Sequence, residues 1–374
     1  MTSFLAPDVI GPASGTLLHG KRINMCAAEF GIYLDDGKPL AHSDLGSKAL
    51  TTVFGDPPNA GTKVDTLSEP CFFAGLTLRE FGHTLINATG RLWALDSVPD
   101  DVTLIFTPKK RPSKHFYPFV QPVLDLLGIK NPWRIIREPT RFEEIYTASD
   151  QFGERYDGRG SPIFYDWFDG RLLTRHQPEA GGKLYVSRSG LGAGAGRYAC
   201  EDYLEELLTV EGYQIYHPEK DDLPTQIAAY QKAEHLIFAE GSALHLFAMV
   251  RQPSQKVSVI QRRAALPPLI QVQMNDRPGP DVLEINAIRE IFWPPIRADH
   301  MSVCLLDFSQ LGATLAAGGF ISGRNGWQNP DNDVETTSLN AGIKASEKML
   351  NAQERRVFLK EYRAKVRAKN AKSR

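Results

Sequence analysis

Cysteine is scarce in this sequence, and no two cysteines lie close together. The four cysteines are Cys26, Cys71, Cys200 and Cys304, and none of them forms a C-x-x-C pair. This spacing argues against a disulfide framework and against a zinc knuckle. It fits a protein that works in a reducing compartment.

Long apolar runs and an excess of charge are also missing. No stretch approaches the roughly 18 uninterrupted apolar residues that a membrane-spanning helix needs. The first residues, MTSFLAPDVIGPASG, lack the basic segment and long apolar core of a signal peptide, so we expect none. The formal net charge of −1 gives no reason to expect a nucleic-acid partner. Together these features favour a soluble, cytoplasmic protein.

The first half of the chain alternates apolar strands with helices, which is an α/β pattern. The chain has 374 residues, more than one hydrophobic core usually holds, so we expect two domains. Residues 84–95 have a helical pattern, 102–108 a buried-strand pattern, and 119–129 a helical pattern closed by Gly128. RIIREP and EEIYTAS follow as short strands. Residues 151–182, rich in Gly, Asp, Arg and Pro, predict the connection between domains.

A second α/β series begins at Lys183. The strands KLYVSR, YQIYHP, HLIFAE and KVSVIQR alternate with helices that include CEDYLEELL and GSALHLFAMV. This order predicts a doubly wound parallel sheet with ligands at the carboxyl ends of its strands. Residues 323–340 predict a polar loop. The predicted domains are 1–175, 176–340, and a basic helix at 341–374.

The C-terminal segment 351–374 is basic, with nine Lys and Arg residues against two Glu residues. In a helix, one stripe would carry four apolar side chains, those of Val357, Phe358, Tyr362 and Val366. One interpretation is a terminal helix that packs this stripe on the body of the protein. The other is an amphipathic helix that lies on anionic lipid.

A glycine-rich loop follows the strand KLYVSR and raises the question of a dinucleotide site. The glycines fall at positions 190, 192, 194 and 196, so no frame gives G-x-G-x-x-G, although Gly190, Gly192 and Ala195 match a relaxed form. Four residues still intervene before the acidic start of the next helix, too many for the tight turn. Glu219 stands where a ribose-binding acid would be expected. An NAD(P)-binding oxidoreductase is therefore an alternative, but a disfavoured one.

Arginine and a helix N-terminus offer another explanation for this edge of the sheet. Arg188 comes at the carboxyl end of a strand, where its guanidinium could donate two hydrogen bonds to phosphate. The amides of Gly241, Ser242 and Ala243 would open the helix after HLIFAE, a geometry that favours an anion. Each feature alone has an ordinary explanation, a surface ion pair or a helix capped by Ser242. Together they predict a phosphate site.

Five segments in the same order resemble glycosyltransferase family 61. They are FGHTLINATGRLWALD, VLDLLGIKNPWRIIREPTRFEEIYTAS, KLYVSR, GR with CEDYLEELL, and GYQIYHPEKDDLPTQIAAYQKAEHLIFAEGSALHLF. The family typically has a K-x-Y-[IV]-S-R strand, an arginine opening N-E-x-x-L, and a G-[SA]-x-L turn. The resemblance covers roughly residues 70–262.

The resemblance implies an inverting hexosyl- or pentosyltransferase that uses a nucleotide-sugar donor and a saccharide or glycan acceptor. It implies a GT-B-like fold of two Rossmann-like domains facing across a cleft, with the donor in the second domain. By association with the family, it suggests cell-envelope polysaccharide synthesis in bacteria. It requires no cofactor and no metal. The sequence DND at 331–333 lies in the predicted polar loop, where we interpret it as coincidental.

The resemblance also suggests site residues. The residues expected to bind the donor diphosphate are Ser187, Arg188, Arg197, Gly241, Ser242 and Ala243. His83 and Glu240 are alternative candidates for the catalytic base, and His245 is a further cleft residue. The sequence departs from the family pattern at several positions, namely Thr84, Ala88, Gly90, Cys200, Glu240 and His245. These departures leave open a degenerate protein that binds sugar nucleotides without turnover.

Overall fold

The computed structural model describes most of the chain. The described ranges are 9–24, 27–44, 51–53, 64–108, 117–153, 158–172, 175–192, 195–296, 301–343 and 347–372. Cys26 and Gly194 lie outside them. The chain divides into two compact units, the first formed by 1–175 with 272–276 and the second by 176–271 with 277–374. Each unit has its own sheets and its own core, so each can be described by itself.

The first unit contains a mixed sheet. Its strands are β1 (Val9–Asn24), β2 (Ala27–Leu34), β3 (Thr51–Val53), β4 (Asp65–Leu67), β5 (Cys71–Thr77), β6 (Thr103–Pro108), β7 (Trp133–Ile135) and β8 (Thr140–Ala148). The sheet order is β3-β2-β1-β8-β5-β6-β7, with β4 paired to β8. The part β8-β5-β6-β7 is parallel, whereas β1 pairs antiparallel with β2 and β8. The sequence pattern predicted β6, β7 and β8 but missed β5 and the strands β1 to β4.

Ten α-helices occur in the described ranges. They are α1 (Phe81–Ala88), α2 (Val120–Leu126), α3 (Pro162–Arg171), α4 (Glu201–Val210), α5 (Leu223–Lys232), α6 (Ala243–Val250), α7 (Pro268–Met274), α8 (Phe308–Ala317), α9 (Asn332–Asn340) and α10 (Ala352–Lys372). The helix α2 is confirmed, and Gly128 just beyond it has a left-handed φ of 64°. Within these ranges, no helix combines the length and the apolar character needed to cross a membrane.

The helix predicted over 84–95 is wrong in its second half. α1 ends at Ala88, and a 3-10 turn follows at Leu92–Ser97. Gly90 between them has low helix propensity, and its carbonyl accepts a hydrogen bond from the amide of Gln151 at 2.8 Å. A β-carbon at Gly90 would also meet the carbonyl of Phe152 at 2.7 Å. The close passage of the Gln151–Phe152 segment therefore favours a break in the helix here.

The second unit is built on a parallel sheet of five strands. The strands of this unit are β9 (Lys183–Val186), β10 (Arg197–Tyr198), β11 (Gln214–Tyr216), β12 (His235–Ala239), β13 (Lys256–Ile260), β14 (Leu283–Ile285), β15 (Ile288–Trp293), β16 (Val303–Leu306) and β17 (Leu350–Asn351). The order β11-β9-β12-β13-β14 confirms the predicted doubly wound sheet. Its switch point lies between β9 and β12, where ligands bind in such folds.

A second small sheet shares the core of this unit. Its order is β10-β16-β15-β17. Buried side chains from both sheets, including Tyr185, Ile237 and Leu306, pack with Leu204 of α4 and Leu311 of α8. Because β10 belongs to this small sheet, the chain leaves the main sheet after β9. It returns to the main sheet at β11, after α4.

The loop predicted at 323–340 is wrong, because α9 occupies its second half. The sequence NDVETTSLN lacks the apolar periodicity of an amphipathic helix, which explains the error. Its buried positions are Glu335 and Leu339, four residues apart, and Glu335 forms an ion pair with Arg289. The acidic residues of the first turn, Asp333 and Glu335, suit the positive end of the helix dipole.

Candidate anion-binding site

Three neighbouring strands of the second unit bring an arginine, a glycine and another arginine to one edge. Arg188 lies two residues beyond β9, Gly241 two beyond β12, and Arg262 two beyond β13. The strands are parallel, with Val186 opposite Phe238 and Ala239 opposite Ile260. The carboxyl ends of parallel strands meet at the same edge, so these residues surround the switch point of the sheet.

The guanidinium of Arg188 packs directly on the backbone of Gly241. A β-carbon at Gly241 would lie 3.1 Å from Cζ of Arg188 and closer still to Nη1. Nη2 donates to the carbonyls of Ala195 at 2.7 Å and Gly196 at 3.1 Å. Nε is buried without a hydrogen-bond partner, and Nη1 donates to none of the residues that the structure describes. Nη2 of the guanidinium is thus fixed by hydrogen bonds, whereas Nε and Nη1 remain available to donate to a ligand.

The N-terminus of α6 opens beside this guanidinium. The first amides bonded within the turn are those of Leu244 and His245, which donate to the carbonyls of Gly241 and Ser242. The amides of Gly241, Ser242 and Ala243 donate to no acceptor within the described ranges. Ser242 precedes α6 but makes no side-chain capping bond. The Ser242 side chain therefore does not cap α6, as the alternative interpretation of this turn required. The free amides are suited to binding an anion.

Glu240 is 0% exposed and its carboxylate is fully engaged. Oε2 accepts from the amides of Arg262 at 2.8 Å and Arg263 at 3.2 Å. Oε1 accepts from the guanidinium of Arg263. A carboxylate with both oxygens occupied is poorly placed to take a proton from an acceptor hydroxyl. These contacts favour a positioning role for Glu240 over the role of base.

Arg262 is a site residue that the sequence reasoning missed. Its side chain is 4% exposed, Nη1 donates to Oγ of Ser302 at 3.1 Å, and Nε has no partner. Burial lowers the pKa of Arg262, and the nearby positive charge of Arg188 lowers it further. The signal available in the sequence was its position, since it ends KVSVIQR as Arg188 ends KLYVSR.

Ser187 supports the loop from inside the protein. Its buried hydroxyl lies 3.1 Å from Oε1 of Glu201 and 2.5 Å from Oε1 of Glu205. Glu201 also accepts from the amide of Arg188 at 2.8 Å and from the Tyr185 hydroxyl at 3.0 Å. Burial raises the pKa of Glu201 above its usual range. Glu201 thus holds the backbone of Arg188, and the Ser187 hydroxyl contacts two carboxylates and accepts from the amide of Ser189 at 3.0 Å.

Arg197 is occupied by α9 and by the turn that follows it. Its Nη2 donates to the carbonyls of Ser338 at 2.8 Å and Ala341 at 2.9 Å. Burial lowers the pKa of Arg197. A guanidinium on the last carbonyls of a helix is a common C-terminal cap. These contacts favour a structural role for Arg197 over a role as a diphosphate ligand.

The two candidate histidines lie in different units and different surroundings. His83 is an exposed residue inside α1 of the first unit, where Glu80 occupies the N-cap position. The carbonyl of His83 accepts from the side chain of Asn87 at 2.9 Å. His245 is buried in the first turn of α6 in the second unit. Of the two, only His83 presents its side chain to solvent.

The glycine-rich loop does not form the tight turn of a dinucleotide site. Between β9 and α4 the chain passes through β10, which pairs with β16 in the small sheet. Gly190 lies against Glu219, and a β-carbon there would also approach Nδ1 of His217 at 3.5 Å. Gly190 therefore serves close packing, and the NAD(P) hypothesis gains no support from the described part of this loop.

The DND sequence lies at the start of a helix and not in a loop. Asp331 precedes α9, and Asn332 and Asp333 are its first residues. In the part of the chain that the structure describes, no group of three or more His, Cys, Asp or Glu residues is arranged to hold a metal ion.

Comparison with known proteins identifies the segment that holds most of this site. Residues 81–257 match the family model Glycosyltransferase 61. A search of curated proteins returned no match. The matched segment begins at α1 and ends inside β13, so it includes Arg188, Glu240 and α6 but stops before Arg262.

Proposed function

We propose that this chain, whose residues 81–257 match the family model Glycosyltransferase 61, is an inverting glycosyltransferase. The donor is a nucleoside diphosphate sugar, the transferred group a hexose or pentose, and the acceptor a saccharide or glycan of a cell-envelope polysaccharide. The proposal includes a GT-B-like arrangement in which the second unit binds the donor and the first unit binds the acceptor.

One observation carries the proposal, the packing of the Arg188 guanidinium on Gly241 at the N-terminus of α6. Arg188 has spare N–H donors, and so do Gly241, Ser242 and Ala243. All of them lie at the switch point of a doubly wound sheet. As the bond from the sugar to the diphosphate breaks, negative charge grows on the leaving phosphate oxygen. Fixed donors there stabilise that charge, as a divalent ion does in other sites.

The reaction is a single in-line displacement. The acceptor hydroxyl oxygen forms a bond to the anomeric carbon while the bond from that carbon to the phosphate oxygen breaks. The electron pair stays on the diphosphate, the configuration inverts, and the hydroxyl proton passes to a base. We assign the base to His83, whose imidazole is exposed to solvent and can accept a proton. Glu240 is assigned to positioning.

The first test is a thermal-shift and titration screen of the full chain. The ligands are UDP, GDP, CDP, CMP, their common sugar conjugates and NAD(P). We expect one nucleoside diphosphate to raise the unfolding midpoint, because a ligand of the native state stabilises it by mass action. In Arg188→Gln the Kd for that ligand should rise about 10- to 100-fold, as expected for a lost charged hydrogen bond.

Three results would revise the proposal. A shift with NAD(P) alone would overturn it. Binding of a sugar nucleotide without any transfer to glycan acceptors would indicate a degenerate binding protein. Unchanged affinity in Arg188→Gln would place the donor elsewhere. Arg251→Gln is the control, because Arg251 is also an arginine of the second unit but lies buried at the opposite end of α6.

We further propose that α10 lies on anionic lipid. Its apolar side chains Val357, Tyr362 and Val366 are exposed, Val357 by 54%, and the rings of Phe358 and Tyr362 stack at 6.1 Å. At its start the helix is held by Arg355, whose guanidinium lies 5.4 Å from the Trp293 ring centroid. An exposed apolar stripe among basic residues suits a negatively charged membrane surface.

Sedimentation with vesicles tests this proposal. The chain should bind vesicles that contain phosphatidylglycerol and not vesicles of phosphatidylcholine alone. Tyr362→Ser with Val366→Ser should weaken binding about tenfold, since both side chains lose apolar contact with the lipid. Equal binding of both kinds of vesicle by the variant and the natural sequence would contradict the proposal. So would a concentration-dependent dimer that buries the stripe.

A further inference from the structure

We infer that Arg262 is a second cationic ligand of the donor diphosphate and that Glu240 is the residue that positions it. The inference rests on the proposed function and extends it beyond the matched segment, which ends at residue 257. It predicts a clamp of two arginines that favours ligands with two linked phosphates.

One dipeptide touches both arginines. The carboxylate of Glu240 accepts from the amide of Arg262, and the next residue, Gly241, carries the guanidinium of Arg188 on its Cα. The strand register agrees, since Ala239 lies opposite Ile260 just before these residues. The Glu240 carboxylate therefore ties the backbone of Arg262 to the turn on which Arg188 packs.

A second set of contacts links the two guanidinium groups through one peptide. Nη2 of Arg188 donates to the carbonyl of Gly196 at 3.1 Å, and the amide of Arg197, in the same peptide unit, donates to the carbonyl of Ser302 at 3.2 Å. The hydroxyl of Ser302 accepts from Nη1 of Arg262 at 3.1 Å. The two guanidinium groups thus approach the Gly196–Arg197 peptide from its two sides.

The charge of Arg262 is poorly compensated inside the protein. Glu240 gives its oxygens to two amides and to the guanidinium of Arg263, not to that of Arg262. Nε of Arg262 is buried without a partner, and Nη2 donates to none of the described residues. A buried cation is costly unless paired, and Arg188 adds a like charge nearby. An anion with several acceptor oxygens would relieve both costs.

The test compares ligands with one and with two phosphates on the full chain. Titration calorimetry measures the Kd for inorganic pyrophosphate and for inorganic phosphate. In Arg262→Gln the Kd for pyrophosphate should rise at least about tenfold, while that for phosphate should change less than about threefold. Arg251→Gln should leave both values unchanged, although it also removes a buried arginine.

A double-mutant cycle tests the role of Glu240. Glu240→Gln should weaken pyrophosphate binding in the natural background but have little further effect in Arg262→Gln, because it acts through Arg262. Additive losses would overturn the positioning role. Should Arg262→Gln fail to fold, Arg262→Lys keeps the charge but loses the planar fork, and the same preferential loss for pyrophosphate is expected.

The outcomes separate this inference from the proposed function. If Arg188→Gln loses pyrophosphate binding and Arg262→Gln or Arg262→Lys keeps it, the assignment of Arg262 is wrong and the donor site stands. If the natural protein binds neither pyrophosphate nor any nucleoside diphosphate, both the inference and the donor site are wrong.

Discussion

Replacing Gly241 by alanine is expected to lower kcat/KM by at least about 100-fold while the protein still folds. A β-carbon at this position would lie 3.1 Å from Cζ of Arg188 and closer to Nη1, so the guanidinium would have to leave. The guanidinium is the far end of a flexible side chain, and it can swing away at little cost in folding free energy. The variant therefore loses the arginine from the site and also narrows the approach to the amides of α6.

Gly192→Ala is the matched control for this prediction. Gly192 lies in the neighbouring loop, and a β-carbon there would meet no atom of the described residues within 4 Å. We expect its kcat/KM and its Kd for the donor nucleotide to equal those of the natural protein. Circular dichroism checks that both variants are folded. A Gly241→Ala variant that binds nucleoside diphosphate with natural affinity would show that the guanidinium need not lie on this backbone.

The parallel sheet of the second unit could be predicted because its signals are local. Each strand of this sheet is a short apolar run, and the helices between the strands have their own periodicity, so the order of these elements can be predicted from residue 183 to 262; only the two-residue strand β10 of the small sheet was missed. Arg188 and the start of α6 were predicted for the same reason, since both lie directly at strand ends. A local signal of this kind was absent from α9, whose buried face consists of Glu335 and Leu339.

The partners of the site residues could not be predicted, because they come from distant parts of the chain. Arg197 follows the strand KLYVSR closely in the sequence, yet its guanidinium donates to the carbonyl of Ser338, 141 residues later in the chain. The sequence makes Glu240 a candidate base because it lies at a strand end. In the structure, the register of β12 and β13 brings two amides and the Arg263 guanidinium to its oxygens. Hydrogen-bond partners decide whether a polar residue acts or supports, and a single sequence does not contain them.

One position at which the sequence departs from the family 61 pattern has an unusual backbone conformation. Cys200 stands where the family usually has asparagine, and its backbone is left-handed with a φ of 56°. Asparagine adopts this conformation more readily than most residues, so the family preference fits the geometry. Cysteine is retained here in a buried position, where its amide donates to Oγ of Ser338 at 2.7 Å.

Replacing Asp150 by alanine is expected to lower the free energy of unfolding of the first unit by about 3–5 kcal/mol. Its carboxylate pairs with Arg91 at 3.2 Å, and the two side chains are only 5% and 1% exposed. The loss leaves a buried guanidinium without its counter-ion. A buried cation that cannot reach water and has no counter-ion is costly.

The Arg91 guanidinium is held in position by several neighbouring groups. Its Nη2 donates to the carbonyl of Asp44 at 2.7 Å, Nε donates to that of His42 at 3.3 Å, and its Cζ lies 5.5 Å from the Phe73 ring centroid. A β-carbon at Gly75 would meet Nη1 at 2.7 Å. These contacts hold the guanidinium in place, so local rearrangement should recover little of the lost free energy of unfolding.

Urea unfolding with matched variants tests this estimate. Asp36→Ala breaks an exposed ion pair with Lys38, 2.7 Å long, and should leave the stability nearly unchanged, because solvent screens such pairs. The double variant Arg91→Met with Asp150→Leu removes both charges and should be more stable than Asp150→Ala alone. A loss below about 1 kcal/mol in Asp150→Ala would mean that water enters and solvates Arg91. The double variant would then show no recovery, because no stranded charge would remain to be removed.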